Sequence, residues 1–235
     1  MPTPKLILWD IDHTLIETGG VGSEVFRDAV RQVTGHHIDR LPDATGRTEQ
    51  VILRETLELY GIEDPGDYFP KFVEAQAAGY RARADEMRRR GRALPGAREA
   101  LAALAELPHI TQTVLTGNPK PSAIAKLETF DLAQWLDLDV GAYGTDDSVR
   151  PNLVPIAQAR ATGRTGYTYT RDTTYVVGDT TSDVEAALKG GAQIIAVASG
   201  RTPADELRAA GAVTVLEHLA DTSALVQSLT GKHSS

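Results

Sequence analysis

The chain has no cysteine. Disulfide staples and a thiolate nucleophile are both excluded, and the redox compartment leaves no trace in this residue. Positive charge is also scarce: 24 Lys and Arg stand against 32 Asp and Glu, a formal net charge of -8. That balance argues against a broad basic surface for a nucleic-acid polymer, and any anionic substrate must be drawn in locally. Long apolar runs are missing as well. The N-terminal stretch Leu6-Ile7-Leu8-Trp9 is too short for a signal-peptide core and far below a membrane span, so a cytoplasmic protein is expected. His36-His37 lacks further His, Cys or carboxylate at ligand spacing and reads as a loop rather than a metal site. No repeat or low-complexity segment occurs, and Gly231-Lys232-His233-Ser234-Ser235 reads as a frayed tail.

What is present is an ordinary globular composition, 41% hydrophobic and 24% charged, in 235 residues. A chain of that length can bury a full core as one large domain or as one domain carrying an insertion. The apolar run Leu6–Trp9 leads straight into Asp10-Ile11-Asp12-His13-Thr14, which puts two carboxylates and a hydroxyl on the turn leaving a buried strand. Charges there are costly unless they are paired or hold a cation. Two more strand-to-turn elements follow. Thr111 to Leu115 ends on Thr116-Gly117-Asn118, and Tyr175-Val176-Val177-Gly178 ends on Asp179-Thr180-Thr181-Ser182-Asp183. In a parallel sheet every carboxyl end shares one edge, so these residues are expected to converge on one crevice.

Strands are expected at about 110–115, 138–142, 173–178, 193–198 and 213–216, alternating with helices. Residues 18–92 carry no strand pattern. Val21, Val25, Phe26, Ala29, Val30 and Val33 mark one helix face, a second helix is expected over about 48–60, and a third over about 67–90 ends in Arg88-Arg89-Arg90-Gly91. Leu94-Pro95-Gly96 marks the return to the core, with a helix along Ala97, Ala100, Leu101 and Leu104. Ser182 is the expected N-cap of the helix that ends at Gly190-Gly191, and Thr202-Pro203-Ala204-Asp205 opens another with capping-box spacing. The basic run from Arg81 to Arg92 reads as a solvated helix face, with a substrate role as its alternative.

Asp10-x-Asp12-x-Thr14-Leu15, Thr116-Gly117-Asn118, Arg150-Pro151 and Gly178-Asp179-x-x-x-Asp183 resemble, in order, the four motifs of the haloacid dehalogenase superfamily. The stretches Ala196-Val197-Ala198-Ser199-Gly200 and Glu206-Leu207-x-x-Ala210-Gly211-Ala212 are similar to its phosphoglycolate-phosphatase-like branch. The resemblance implies an α/β fold: a Rossmann-like doubly wound parallel sheet formed by 1–17 and 93–235, with an all-helical cap domain inserted at 18–92.

It also implies a division of labour. Asp10 would be the nucleophile, Asp12 the general acid and base, and Mg²⁺ the cofactor, held by Asp10, Asp12, Asp179 and Asp183. Asp183 could instead orient the other ligands, or be no more than a first-turn acid favoured by the helix dipole. Thr116, Gly117 and Asn118 would hold the phosphoryl oxygens. Arg150 would face them as the cation, where the family more often has Lys; Lys120 and Lys126 are the alternatives. His13 stands where Gly is usual and either lines the pocket or points to solvent. Gly46-Arg47-Thr48-Glu49 resembles the cap loop that reaches the substrate, which makes Arg47 the candidate for leaving-group recognition.

Within such a superfamily Asp12 argues against dehalogenation, and Lys71, the one Lys of the insertion, lies past the loop that phosphonate cleavage would need. A receiver domain would be about half this length. The expectation is a Mg²⁺-dependent phosphatase for a small phosphorylated metabolite, monomeric or homodimeric. A phosphosugar mutase and a non-catalytic phosphate-binding protein remain the alternatives.

Overall fold

The computed structural model describes residues 2–230; the C-terminal pentapeptide read as a frayed tail lies outside them. Six parallel strands form the main sheet: β1 (Lys5–Trp9), β4 (Ile110–Thr116), β5 (Ala142–Tyr143), β6 (Thr174–Gly178), β7 (Gln193–Val197) and β8 (Thr214–Leu216). Their order is β5-β4-β1-β6-β7-β8. Strand β1 pairs with β4 on one side and β6 on the other, Trp9 lying opposite Val114 and Val177. The winding direction reverses at β1, and in such sheets the crevice outside the carboxyl ends at the switch point is where ligands bind.

Alternation along the strands fills two layers. Ile7, Trp9, Val114, Tyr175, Val177, Ile195 and Val197 face one way, onto α5 (Ala97–Ala105), α6 (Lys120–Thr129) and α10 (Thr222–Thr230). Leu6, Leu8, Leu115, Val176, Ile194 and Ala196 face the other, onto α7 (Leu153–Thr165), α8 (Thr181–Gly190) and α9 (Ala204–Ala209). A strand covered on both faces reads as an unbroken apolar run, which is why Leu6 to Trp9 shows no polar alternation.

Between β1 and α5 lie α1 (Val21–Thr34), α2 (Glu49–Leu59), α3 (Tyr68–Ala82) and α4 (Ala84–Arg90). Phe26, Val30, Ile38, Ile52, Leu53, Leu57 and Phe72 form a separate apolar cluster there, with the Phe26 and Phe72 rings edge to face at 5.0 Å. The segment enters and leaves through one two-stranded antiparallel ribbon, β2 (Ile16–Glu17) paired with β3 (Arg92–Ala93), and Glu17 meets Arg92 at 2.8 Å.

Several sequence expectations are corrected in detail. The helix expected over 67–90 is two, broken at Arg83, whose guanidinium is held by Glu24 at 3.0 Å and Asp28 at 2.7 Å. Arg90 pairs with Glu24 and Glu86, and Arg88 with Asp85, so these members of the basic run join helices rather than await an anion. The strand expected at 138–142 is only Ala142–Tyr143. The N-cap of α8 is Thr180, not Ser182: its hydroxyl accepts from Asp183 N while the Asp183 carboxylate accepts from Thr180 N. Helix α9 starts after Pro203 with no side-chain cap, so the spacing from Thr202 to Asp205 forms no capping box.

Candidate active site

Four carboxylates and two cations meet at the carboxyl edge of the sheet, around β1. Asp10, on the turn after β1, is 6% exposed, and Asp179, on the turn after β6, and Asp183, in the first turn of α8, are buried at 2% and 0%. A carboxylate oxygen from each of the three lies within 4.8 Å of one from the others. Arg150 reaches this group from the short 3₁₀ turn Arg150–Asn152 that leads into α7, its Nη2 donating to Asp10 Oδ1 and to Asp183 Oδ1, both at 2.6 Å. Its Nε is buried with no acceptor.

One guanidinium cannot neutralise three carboxylates. Burial, and next the Asp183 charge, push the Asp10 pKa well above the ordinary carboxylate range against the pull of Arg150. The same two causes push Asp179 up to about 7, against the hydrogen bond from Thr14. Burial alone would lower the Arg150 pKa, but Asp183 and Asp10 more than offset it.

The donor set fits a hard divalent cation, being all oxygen and buried, and it needs positive charge. Asp179 is shaped for such a role: Thr14 Oγ1 donates to its Oδ1 at 3.0 Å, and a Cβ on Gly200 would sit 1.7 Å from its Oδ2. Asp183 is used differently. Its Oδ1 takes Arg150 and its Oδ2 takes the Thr180 amide and hydroxyl at 3.0 and 2.6 Å, so it suits contact through water or positioning better than direct ligation. Its place in the first turn of α8 also makes it the helix-terminal acid of the alternative expectation.

Asp12 faces a second cation. Lys126 Nζ donates to both its oxygens at 2.9 and 2.8 Å and to Asn118 Oδ1 at 2.7 Å, while Asn118 Nδ2 donates to Asp12 Oδ2 at 2.8 Å. Burial would raise the Asp12 pKa, but Lys126 and Asn118 outweigh it and hold it below the usual value. Asn118 N and Nδ2 both donate to Thr116 Oγ1, which leaves the Thr116 hydroxyl proton for another acceptor. Of the three cations proposed from sequence, Arg150 and Lys126 thus both reach the carboxylates, whereas Lys120 pairs with exposed Asp139.

A cavity of about 530 Å³ joins these groups to the helical segment. The loop 43–48 is seated directly on the core: Glu49 N donates to Gly117 O at 2.9 Å, and Thr48 Oγ1 to Ser148 O at 3.2 Å. Gly117 is required by that contact, since a Cβ would lie 2.2 Å from Arg47 O. Arg47 lines the cavity, yet its guanidinium forms a forked pair with Glu55 and reaches Asp43 O. His13 also lines the cavity, at φ 62°, a conformation that explains why Gly is at ease in that position. Sequence reasoning missed Glu49, a first-turn acid of α2 that turns into the cavity instead of to solvent.

A doubly wound parallel sheet with convergent acids at its switch point defines an α/β enzyme of the phosphoryl-transfer or hydrolase kind. The particular family follows from comparison. The model of the haloacid dehalogenase-like hydrolases matches residues 7–188, and the chain belongs to that family. Solved structures with the same fold include a hydrolase from Pseudomonas syringae, 20% identical with a TM-score of 0.70, covering 97% of this chain and 100% of that one. A predicted phosphoglycolate phosphatase from Haemophilus somnus is 20% identical, TM-score 0.66, covering 97% and 100%. CbbY from Rhodobacter sphaeroides, in complex with phosphate, is 19% identical, TM-score 0.68, covering 93% and 96%. A search of curated protein sequences finds no match. Among the described residues no helix is long and apolar enough to cross a membrane.

Proposed function

We propose that this chain is a Mg²⁺-dependent phosphatase for small phosphorylated metabolites, acting as a cytoplasmic monomer or homodimer, with 1–17 and 93–235 as catalytic core and 18–92 as cap. The observation that carries it is the charge arrangement: four carboxylates against Arg150 and Lys126 leave two negative charges, the deficit one divalent cation removes. Asp10, Asp179 and the backbone of Asp12 would hold that cation, with Asp183 behind them, and when bound it screens the repulsion between a carboxylate and a phosphate dianion.

Asp10 then attacks phosphorus in line. A bond forms from its carboxylate oxygen to phosphorus as the bond to the leaving oxygen breaks, and that oxygen takes a proton from Asp12. Water next attacks the aspartyl-phosphate, gives its proton to Asp12 and frees Asp10 with inorganic phosphate. Such a positioned acid and base contributes roughly 10²–10⁴ in rate. Lys126 keeps Asp12 ionised before substrate arrives; the incoming phosphate charge raises its proton affinity, so Asp12 takes a proton from solvent as substrate binds and holds it for the leaving oxygen. Thr116, with the amides of Gly117 and Asn118, and Arg150 would bind the non-bridging oxygens.

The test is phosphate release from p-nitrophenyl phosphate in Mg²⁺ and in EDTA. Release should need the metal, and Asp10→Asn should reduce it at least 1,000-fold (on the order of what loss of a nucleophile costs). Undiminished turnover in Asp10→Asn would refute the reading. A phosphomutase built on the same residues is separated by its product, an isomer rather than free phosphate.

A further inference from the structure

Four Lys and Arg residues line the cavity: Arg47, Lys126, Arg150 and Arg201. Three of them are committed, Arg47 to Glu55, Lys126 to Asp12 and Asn118, and Arg150 to Asp10 and Asp183. Arg201 makes no hydrogen bond or ion pair with any described residue. Asp43 feels its charge, but Asp43 Oδ1 accepts from Thr45 N and Oγ1 at 3.0 and 2.8 Å, and those bonds, ahead of the Arg47 and Arg201 charges, hold the Asp43 pKa below its usual value. The exposed Arg201 side chain stands on a fixed backbone. On one side Ser199 Oγ donates to His13 O at 2.7 Å, and Gly200 packs so tightly that a Cβ would sit 1.7 Å from Asp179 Oδ2; on the other side Thr202 is buried. Since consecutive Cα atoms are about 3.8 Å apart, the Gly200 contact puts the Arg201 Cα within about 7 Å of the Asp179 carboxylate. From there a guanidinium can reach the far end of a short leaving group whose phosphoryl end sits at Asp10.

We propose, resting on the phosphatase reading, that Arg201 is the specificity residue of a leaving-group subsite that takes a second anionic group, carboxylate or phosphate, carried by the substrate. The planar guanidinium offers paired donors that match either one. Its surroundings decide the sign of the preference. Asp10, Asp12, Asp43, Glu49 and Asp179 line the same cavity, so a second anion on the substrate finds no other unspent Lys or Arg to receive it there. A neutral leaving group leaves the Arg201 donors to water. The selection would thus be made by a core loop, the one that follows β7, and not by residues 18–92.

The direct test compares three esters of one skeleton, glycerol 3-phosphate, 3-phosphoglycerate and glycerol 1,3-bisphosphate, which end in a hydroxymethyl, a carboxylate and a second phosphate. Wild-type kcat/KM should favour at least one doubly anionic ester over glycerol 3-phosphate by about fivefold or more, the upper end for an ion pair open to solvent. Which of the two gains identifies the anion. Arg201→Gln should cut that ratio by a similar factor, and Arg201→Lys, which keeps the charge without the fork, should restore part of it. If wild type hydrolyses p-nitrophenyl phosphate yet prefers neither anionic ester, the subsite assignment falls while the phosphatase reading stands. If the preference is present but unmoved in an Arg201→Gln protein with a normal thermal melt, the role of Arg201 is refuted. An equal fall on all three esters would make Arg201 a support for loop 43–48 through Asp43, and would also overturn the assignment. If wild type releases phosphate from none of the three esters and none from p-nitrophenyl phosphate, the phosphatase reading fails and takes the inference with it.

Discussion

Replacing Lys126 by Met tests whether the Asp12–Lys126 pair is the energetic link its geometry indicates. The Lys126 side chain is 4% exposed and Asp12 35%. Removing one member of a fully buried pair costs 3–5 kcal/mol, because a charge is left without a partner; solvent at Asp12 takes over part of that role, which brings the expectation to about 2–3 kcal/mol. The loss should appear as a melting temperature lower by roughly 5–10 °C, given about 2–4 °C per kcal/mol in a chain of this size. Lys126 also lies over the Tyr80 ring at 4.9 Å, so the single substitution mixes effects. A double-mutant cycle with Asp12→Asn in urea removes that mixture and should return a coupling of about 2 kcal/mol at pH 7. The pH dependence fixes the sign. Asp12 has a folded pKa below its ordinary 3.8, so its contribution is present above about pH 4 and is lost as pH falls through the folded value. A coupling under about 0.5 kcal/mol at pH 7, or one that stays constant down to the lowest pH at which the proteins remain folded, would refute the reasoning.

Three further outcomes are expected. In EDTA, stability should decline from pH 5 to 8, because Asp179 and Glu49, both raised to about 7, contribute stability that is fully present below their unfolded values and lost as pH rises through 7; Mg²⁺ should flatten the Asp179 part, and a melting temperature independent of pH in EDTA would contradict the burial argument. Arg150→Met leaves the Asp10, Asp179 and Asp183 group with no counter-charge and should cost about 3–5 kcal/mol in EDTA, with partial rescue by Mg²⁺ in a thermal melt. His13→Gly relieves a side chain held at φ 62° and should change stability by less than about 1 kcal/mol in either direction, the strain relieved offsetting the entropy added to the unfolded chain; a loss well beyond that in urea titration would mean the ring makes contacts the backbone argument ignores.

The parts of the fold and site that were legible in sequence are those where one residue's neighbours along the chain report its environment. Asp10 and Asp179 follow apolar runs that had to be buried strands, so their position at the sheet edge was implied before any contact was seen. Lys126 was visible only as one of two alternatives, because nothing local in α6 says that its ammonium is 2.8 Å from a residue 114 positions earlier. Glu49 looked like any first-turn acid; its burial comes from the seating of loop 43–48 on Gly117, a contact between segments about 70 residues apart. The Arg47 guanidinium, expected at the leaving group, is paired with Glu55 two turns along, a choice between two acceptors that spacing alone does not make. Gly200 had a place in the family resemblance but no reason, until its missing Cβ proved to be the space that Asp179 occupies.

The β2–β3 ribbon has a consequence for how such a chain diversifies. Because Glu17 and Arg92 face each other across one antiparallel ladder, the ends of the intervening segment are about 5 Å apart. A replacement of any length and topology has to satisfy only that one closure distance to leave the sheet and its carboxylates undisturbed. Residues 18–91 are in that sense a cassette: on the phosphatase reading proposed above, exchange at a fixed pair of junctions would change what surrounds the substrate and leave the sheet and its carboxylates in place.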